Sequence, residues 1–507
     1  MASTNSNGSV HLAIDLGASG GRVLAGTINE TGVELSQVHR FDNGGLLVGD
    51  RLCWNLLGQW QQVKTGLGLA AQRYGDRIST VGADTWGVDY VLLDRHDDLV
   101  GPCIHYRDAR TRGMVAKANE LISDADMFAA TGIQFMEINT AYQLLAMRQQ
   151  GSPGLDIAER FLMVPDFLHW QLSGQQINEY TNASTTQLLD AQTGKWSSHV
   201  LEALDLPRHL FTDPVQPGCD LGSLRETLRV ETQLHAGVKV IVPATHDTGS
   251  AVLAVPADTF AVDRPDWCYI SCGTWSLMGA EVASPVLTDA CRQFNFTNEG
   301  GVAGSVRLLK NISGLWIVQQ CRARWKREGH DWSWDRLIQM AESAEPMMSI
   351  IDPDDPCFVA PDSMPDAIRE YCQRTGQVVP ATEGAIVRCA LESLALRYRV
   401  VLGYLEQLVG SEFSTIHMVG GGVQNRMLCQ MAADACQRRV VAGPIEATAL
   451  GNVLMQAVGS GELSSIKEAR ELVLKADDIF HYTPKPIGRW DEGFAKLQQL
   501  TLSREEM

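Results

Sequence analysis

A chain of 507 residues, 45% hydrophobic and 20% charged, has the composition of a folded protein of two or three domains, which excludes a mini-protein and a disordered segment. Its 42 Lys and Arg against 60 Asp and Glu leave a net charge of −18, which repels phosphate backbones and anionic lipid, so neither nucleic acid nor a membrane surface is expected as a partner. Twelve cysteines fall singly with no CxxC pair and no apolar run approaches a membrane span, setting aside a zinc ribbon, a dense disulfide scaffold and a spanning helix.

Taken in chain order, a polar tail leads to residues 11–15, which predict a short strand. Residues 17–21 predict a turn and 22–28 a second strand, so the chain opens with a hairpin and not with a strand feeding a helix. Residues 81–83 and 88–93 predict a second strand pair around Asp84-Thr85-Trp86-Gly87. Helical patterns follow over 144–150 and 167–172. Residues 238–243 predict a strand ending in the polar turn 244–249, with a helix after it. Pro, Asp and Ala over 257–266 mark a boundary, dividing the chain into an N-terminal domain, 1–255, and a C-terminal one, 256–507. The second domain opens with a strand over 268–272, and residues 270–275 repeat the strand, glycine, small-residue order of 14–19, which suggests a duplication. Residues 345–365 predict a loop, 416–422 a third strand-to-glycine junction, and 425–436 a helix. Cys372 and Cys389, either side of a glycine- and proline-bearing loop, are the first candidates for any disulfide; reduced buried thiols are expected otherwise.

Several chemistries drop out. No GxxxxGK[ST] occurs, and Lys64-Thr65 lacks the preceding glycines, so a P-loop is excluded; HExxH, EF-hand and protein-kinase signatures are absent too. Residues 66–71 fit the dinucleotide pattern loosely, but after a helical stretch. Gly17-Ala18-Ser19-Gly20-Gly21 matches the GxSxG of serine hydrolases, yet a strand follows it where that motif needs a helix. The glycines suit an anion-binding turn, in which bare backbone N–H groups let a phosphate oxygen approach closely, with Arg22 as added charge. Asp15, at the strand end before that turn, is placed to bind Mg²⁺ directly or through water. Gly273-Thr274 offers a second such turn in the other half. Gly420-Gly421-Gly422 clears side chains where adenosine could lie, or makes a tight strand-to-helix turn. His246-Asp247-Thr248 puts a carboxylate at a helix start, as a catalytic group or as an N-cap. Asp84, Trp86, Gly87 and Asp89, with Tyr106, Arg107 and Asp108, supply the polar and aromatic groups of a sugar site, or a buried Trp core.

These stretches, together with Gln143-Leu144, Tyr180-Thr181-Asn182-Ala183, Asn298-Glu299-Gly300-Gly301, Lys310-Asn311 and Gly314-Leu315-Trp316, resemble the FGGY carbohydrate kinases over nearly the full chain. The resemblance implies an α/β fold of two ribonuclease-H-like, actin-like ATPase domains with a central cleft, the first mainly sugar-binding and the second mainly nucleotide-binding. It implies ATP-dependent phosphorylation of a ketose, L-rhamnulose at its terminal hydroxyl, with Mg²⁺ as cofactor and ATP as co-substrate. A cytoplasmic location is expected from the sequence itself, which has no apolar span and starts polar and uncharged over residues 1–10; the oligomeric state stays open, a monomer being one alternative. The alternatives are a fuculose or xylulose kinase and a non-catalytic sugar- and nucleotide-binding regulator. By position, Ala18, Ser19, Gly20, Gly21 and Arg22 would meet the β- and γ-phosphates, Thr274 the phosphates, and Gln319 and Gly421 the nucleotide. Gly87, His246, Asp247, Thr248 and Asn311 would meet the sugar or the reacting phosphate, with Asp247 as base and Asp15 supporting Mg²⁺. Members of the family similar to this chain more usually carry Ser where it has Gly20, so a hydroxyl contact expected from that position is missing.

Overall fold

The computed structural model describes residues 8–505 except 31, 258, 261, 263, 360, 476–477 and 487. The polar tail up to residue 7 and three positions of the boundary segment 257–266 therefore lie outside the described residues. The chain forms two compact units: the first gathers residues 1–263, 281–308 and 447–476, the second 264–280, 309–446 and 477–507. The division expected at residue 255 thus follows the order of the chain, while packing assigns two later stretches to the first unit.

In the first unit six strands, β1 (Val10–Leu16), β2 (Gly20–Asn29), β3 (Gly32–Asp42), β4 (Ile78–Thr85), β5 (Asp220–Ser223) and β6 (Lys239–Ile241), form one sheet in the order β3-β2-β1-β4-β6-β5. β1 and β2 make the expected antiparallel hairpin, and β4 then runs parallel to β1, with β6 parallel to β4. All seven residues of β1 are buried, as a strand at the centre of a sheet covered on both faces requires; its two polar residues, His11 and Asp15, bond Thr80 and Arg22. Its Leu12, Ile14 and Leu16 share a core with Val63 and Leu67 of helix α1 (Leu56–Tyr74) and Phe167 of helix α2 (Val164–Ser173). The alternate residue Ala13 meets Ala449 and Val453, from a long apolar helix over 447–460. The dinucleotide-like glycines lie inside α1, where Gly66 lets the helix close on Val23.

The expected pairing of 81–83 with 88–93 is corrected. β4 is buried along almost its whole length and takes a central place in the sheet, whereas Tyr90–Leu93 pairs with Arg160–Met163 in a separate ribbon. Val88, with φ of 66°, turns the chain between them.

The second unit repeats the central part of this order. Strands β7 (Trp267–Cys272), β8 (Trp275–Val282), β9 (Val306–Ser313), β10 (Thr415–Val419), β11 (Arg439–Ala442) and β12 (Phe480–Tyr482) stand in the order β9-β8-β7-β10-β11-β12. Hairpin β7/β8 is antiparallel, and β10 and β11 follow in parallel. The β8-β7-β10-β11 arrangement is that of β2-β1-β4-β6, and the repeat read at 14–19 and 270–275 falls on the same hairpin end in each. Cys372 and Cys389 are buried, hydrogen-bonded thiols, and all twelve cysteines are free. Among the described residues no helix is long and apolar enough to cross a membrane.

Candidate active site

In the first unit the candidates collect at the carboxyl ends of β1, β4 and β6, where open parallel sheets bind ligands. The turn after β1 is closed by Gly17 N donating to Gly20 O at 2.9 Å and braced by Asn43 Nδ2 donating to Gly17 O at 2.7 Å. Ser19 is exposed and Ala18 packs partly on the core. A Cβ on Gly21 would fall on the Phe41 ring, so that glycine is required by packing, while one on Gly20 would meet nothing closer than Phe41 O at 3.6 Å. Arg22 is engaged within the protein: its Nη2 donates to Asp15 Oδ2 at 2.6 Å.

Asp15 stands opposite Asp84 in the β1/β4 register. Asp84 is fully buried; its Oδ2 accepts from Asn452 Nδ2 at 2.5 Å and its Oδ1 has no partner. Burial, then the nearby Asp15, hold its carboxyl well above the usual range, with Asp247 adding in the same sense and Asn452 opposing. Asn452 in turn accepts from Gln456, which binds Thr80 and the Leu12 carbonyl. Among the described residues no group of three or more His, Cys, Asp or Glu is arranged to hold a metal ion. Mg²⁺ needs only one or two carboxylates because it keeps several waters, and an orphaned carboxylate oxygen beside Asp15 is consistent with that demand.

The turn after β6 is built around Glu179. This buried carboxylate accepts from Thr245 Oγ1 at 2.6 Å, Thr245 N at 3.1 Å and Thr181 Oγ1 at 2.7 Å. Thr181 Oγ1 accepts from His246 N, and Asn182 Nδ2 donates to the carbonyls of Trp86 and Thr245, tying this turn to the one after β4. A helix, Asp247–Leu253, starts here with His246 as its cap residue, without a side-chain cap bond, so the N-cap reading of Asp247 is corrected. Asp247 is the first helical residue, its carboxylate bonded by Thr248 N and, at 3.1 Å, Thr248 Oγ1. Burial and then Asp15 raise its pKa, against which His246 and Thr248 act.

The aromatic group beyond β4 is a core. Asp89 is fully buried and accepts from Trp54 Nε1 at 2.6 Å, Trp86 Nε1 at 3.0 Å, Gln143 Nε2 at 2.9 Å and Tyr106 N at 3.2 Å. Burial lifts it to about 6, those donors holding it from rising further. Trp54 lies 4.0 Å from both Trp86 and His105, ring to ring. Asp108 bonds Leu52 N and Arg110 N. The buried-Trp alternative thus accounts for Trp86, Asp89 and Asp108. Gly87 keeps its place by packing, a Cβ there lying 3.0 Å from Thr185 Oγ1.

The second unit carries Thr274, Gln319 and Gly421: the first two meet at one junction, and the glycines on either side of Gly421 pack on Cys272 at the end of β7. Thr274 sits in the tight turn between β7 and β8, with Gly273 N donating to Trp275 O at 2.9 Å; its carbonyl accepts from Trp316 N at 3.0 Å, at the start of helix Trp316–Arg327, whose first turn carries Gln319. Gly420 has φ of 89°, and Gly422 packs so closely on Cys272 that a Cβ would fall on its sulfur and carbonyl. Gly421, between them, is exposed and open around its Cα. Asn311 is half-buried on β9. Sequence reasoning missed Glu179, Asn452 and Arg307. The readable trace of Asn452 is the pair Asn452 and Gln456, four residues apart in an otherwise largely apolar helix; that of Glu179 is its place before the Tyr180 motif.

Models of the FGGY family of carbohydrate kinases match the chain twice, the N-terminal domain over residues 10–254 and the C-terminal domain over 268–460. A rhamnulokinase from Bacteroides thetaiotaomicron is 43% identical over 482 residues, 95% of this chain and 97% of that protein. One from Halalkalibacterium halodurans is 39% identical over 473 residues, 93% and 98% of the two chains. The crystal structure of a ligand-bound xylulose kinase from Lactobacillus acidophilus superposes with a TM-score of 0.79 over 98% of each chain at 14% identity, a likeness of fold alone.

Proposed function

The chain belongs to the FGGY family of carbohydrate kinases, with its actin-like ATPase fold, and from that premise we propose that it transfers the γ-phosphoryl group of ATP to the terminal hydroxyl of L-rhamnulose, giving L-rhamnulose 1-phosphate. It is a phosphotransferase with an alcohol group as acceptor. The observation that carries the substrate is near-full-length identity of 43% and 39% to rhamnulokinases. Kinases of fuculose or xylulose, and a non-catalytic regulator, are not favoured beside it. Twelve free thiols, which a reducing compartment keeps unpaired, support the reading that the reaction runs in the cytoplasm.

Phosphoryl transfer demands positioning and charge neutralisation more than covalent chemistry from the protein. Asp247 takes or orients the proton of the sugar hydroxyl, an assignment supported by a carboxylate that accepts from its neighbour Thr248 at a helix start, where the backbone N–H groups favour an anion. His246, Thr248, Gly87 and Asn311 bind the sugar. The turn from Ala18 through Ser19, Gly20 and Gly21 to Arg22 receives the β- and γ-phosphates, Arg22 exchanging Asp15 for phosphate oxygen. Thr274 binds phosphate, and Gln319 and Gly421 bind the nucleotide. Asp15 would hold Mg²⁺, which when bound neutralises charge on the phosphates. A panel of ketoses with purified protein and Mg-ATP, followed by ADP release, tests the reading: L-rhamnulose is expected to give the highest kcat/KM, and a higher value with xylulose or fuculose overturns the substrate assignment.

A further inference from the structure

The ring of His246 is gripped from one side by two fully charged residues that no step above uses. Arg307 is completely buried on β9; its Nε donates to Gly300 O at 2.8 Å and its Nη1 lies 3.2 Å from Glu299 Oε2. Its other terminal nitrogen, Nη2, lies 3.1 Å from His246 Nδ1 in hydrogen-bonding geometry. Glu299 Oε2 is also 3.1 Å from that Nδ1, an ion-pair distance whose direction makes no hydrogen bond, as is true of Arg307 Nη1 toward the same oxygen; against the effect of burial, His246 and Arg307 beside it hold the Glu299 carboxyl below its usual range. The far nitrogen, Nε2, points the other way, 3.5 Å from Asp247 Oδ1.

A guanidinium offers only donors. A ring nitrogen that meets one must present its lone pair, so a proton on Nδ1 would set N–H against N–H between two buried side chains, leaving Arg307 Nη2 without its acceptor. Glu299 balances the charge of Arg307, and the Gly300 carbonyl that accepts from Nε fixes the direction of the guanidinium. A neutral ring whose Nδ1 accepts carries its proton on Nε2.

We propose that Arg307, anchored by Glu299 and the Gly300 carbonyl, is a positioning residue that fixes His246 as the Nε2–H tautomer. On the reading that His246 and Asp247 face the sugar, His246 then meets the substrate as a hydrogen-bond donor, and Asp247 is the one base at the helix start. The two neighbouring side chains divide the work: one donates to a sugar oxygen, the other receives the proton.

The test is made first on the resting, full-length protein, and so does not depend on which sugar it phosphorylates. With selective ¹⁵N-histidine labelling, and His246→Asn to assign the signal, long-range ¹H–¹⁵N correlation is expected to show Nε2 protonated and Nδ1 bare at neutral pH. A protonated Nδ1, whether in the other neutral tautomer or in an imidazolium, overturns the proposal even in a fully active kinase. Kinetics supply the second arm. Arg307→Met removes the donor and should lower kcat on the order of 10- to 100-fold, the usual cost of losing a residue that orients a functional histidine, with the KM for ATP unchanged. Arg307→Gln retains an N–H donor and should recover part of that kcat and the Nε2–H signal. Equal losses of kcat in both variants, with the tautomer unmoved, would make Arg307 structural only.

Discussion

Asp247 separates two accounts of one side chain. A carboxylate that served only to cap its helix would cost about 1 kcal/mol of stability when replaced and need not affect turnover. The structure removes the capping account, since His246 occupies the cap position and Asp247, the first helical residue, accepts from its neighbour Thr248. Asp247→Asn keeps the shape and the acceptor oxygen but deletes the anion, so kcat should fall roughly a hundredfold or more while sugar binding persists. Melting temperature should not fall, because the substitution also removes a charge that Asp15 and Asp84 disfavour. The raised pKa sets the sign in pH: the base is lost on acidification through a value above the ordinary carboxylate pKa of about 3.9, so the acid limb of wild-type kcat should lie above that point. A wild-type turnover in the variant would remove Asp247 from the chemistry. At this scale the sequence was legible where a residue of unusual type sits at a strand-to-turn junction, as Asp15 and Asp247 do. It was not legible for Asp89, because alternation of residue types cannot say that a carboxylate is already satisfied by two indole N–H groups. Nor could it show that Asp84 is held by Asn452, 368 residues away.

Among the elements, the strand-to-glycine turns were readable because a glycine run after an apolar strand has few other uses. The three glycines after β10, however, have three different reasons. Gly420 needs its positive φ, Gly422 needs the absence of a side chain against Cys272, and Gly421 is left without any packing reason. Replacement should therefore split the turn by position. Gly422→Val drives a branched side chain into backbone and sulfur and should lower the melting temperature by several degrees, overpacking costing roughly 1–3 kcal/mol. Gly421→Val should leave stability near wild type and raise the KM for ATP more than that for sugar, since the new side chain stands where the nucleotide is proposed to lie. An unchanged KM for ATP in a folded Gly421→Val removes that residue from the nucleotide site. The hairpin expected over 81–93 failed for a related reason: β4 reads as a short strand beside a turn, but its burial on both faces obliges it to lie inside a sheet.

For the whole molecule, the same central strand order in both units gives the carboxyl ends of each sheet comparable turns furnished differently. The first unit carries Asp15, Asp84, His246, Asp247 and Thr248; the second carries Thr274, Gln319 and Gly421. The repeat was visible in the sequence because it rests on a local pattern, apolar strand then glycine. The recruitment of residues 281–308 and 447–476 to the first unit was not, because it is decided by distant contacts such as those of Asn452 with Asp84 and of Arg307 with His246. This partition makes the division of ligands testable without any activity measurement. In hydrogen–deuterium exchange, L-rhamnulose alone should protect backbone amides of the Thr245–Thr248 turn and of Gly87–Asp89, since a bound sugar lowers the frequency of local opening around its contacts. ADP alone should instead protect the Gly420–Asn425 turn and the first turn of helix Trp316–Arg327 in the second unit. Protection of residues 420–425 by the sugar alone, with ADP leaving them unchanged, would reverse the assignment of the nucleotide to these glycines; and since the amide of exposed Gly421 has no packing to slow its exchange, its response to ADP is the most direct reading of whether adenosine lies there.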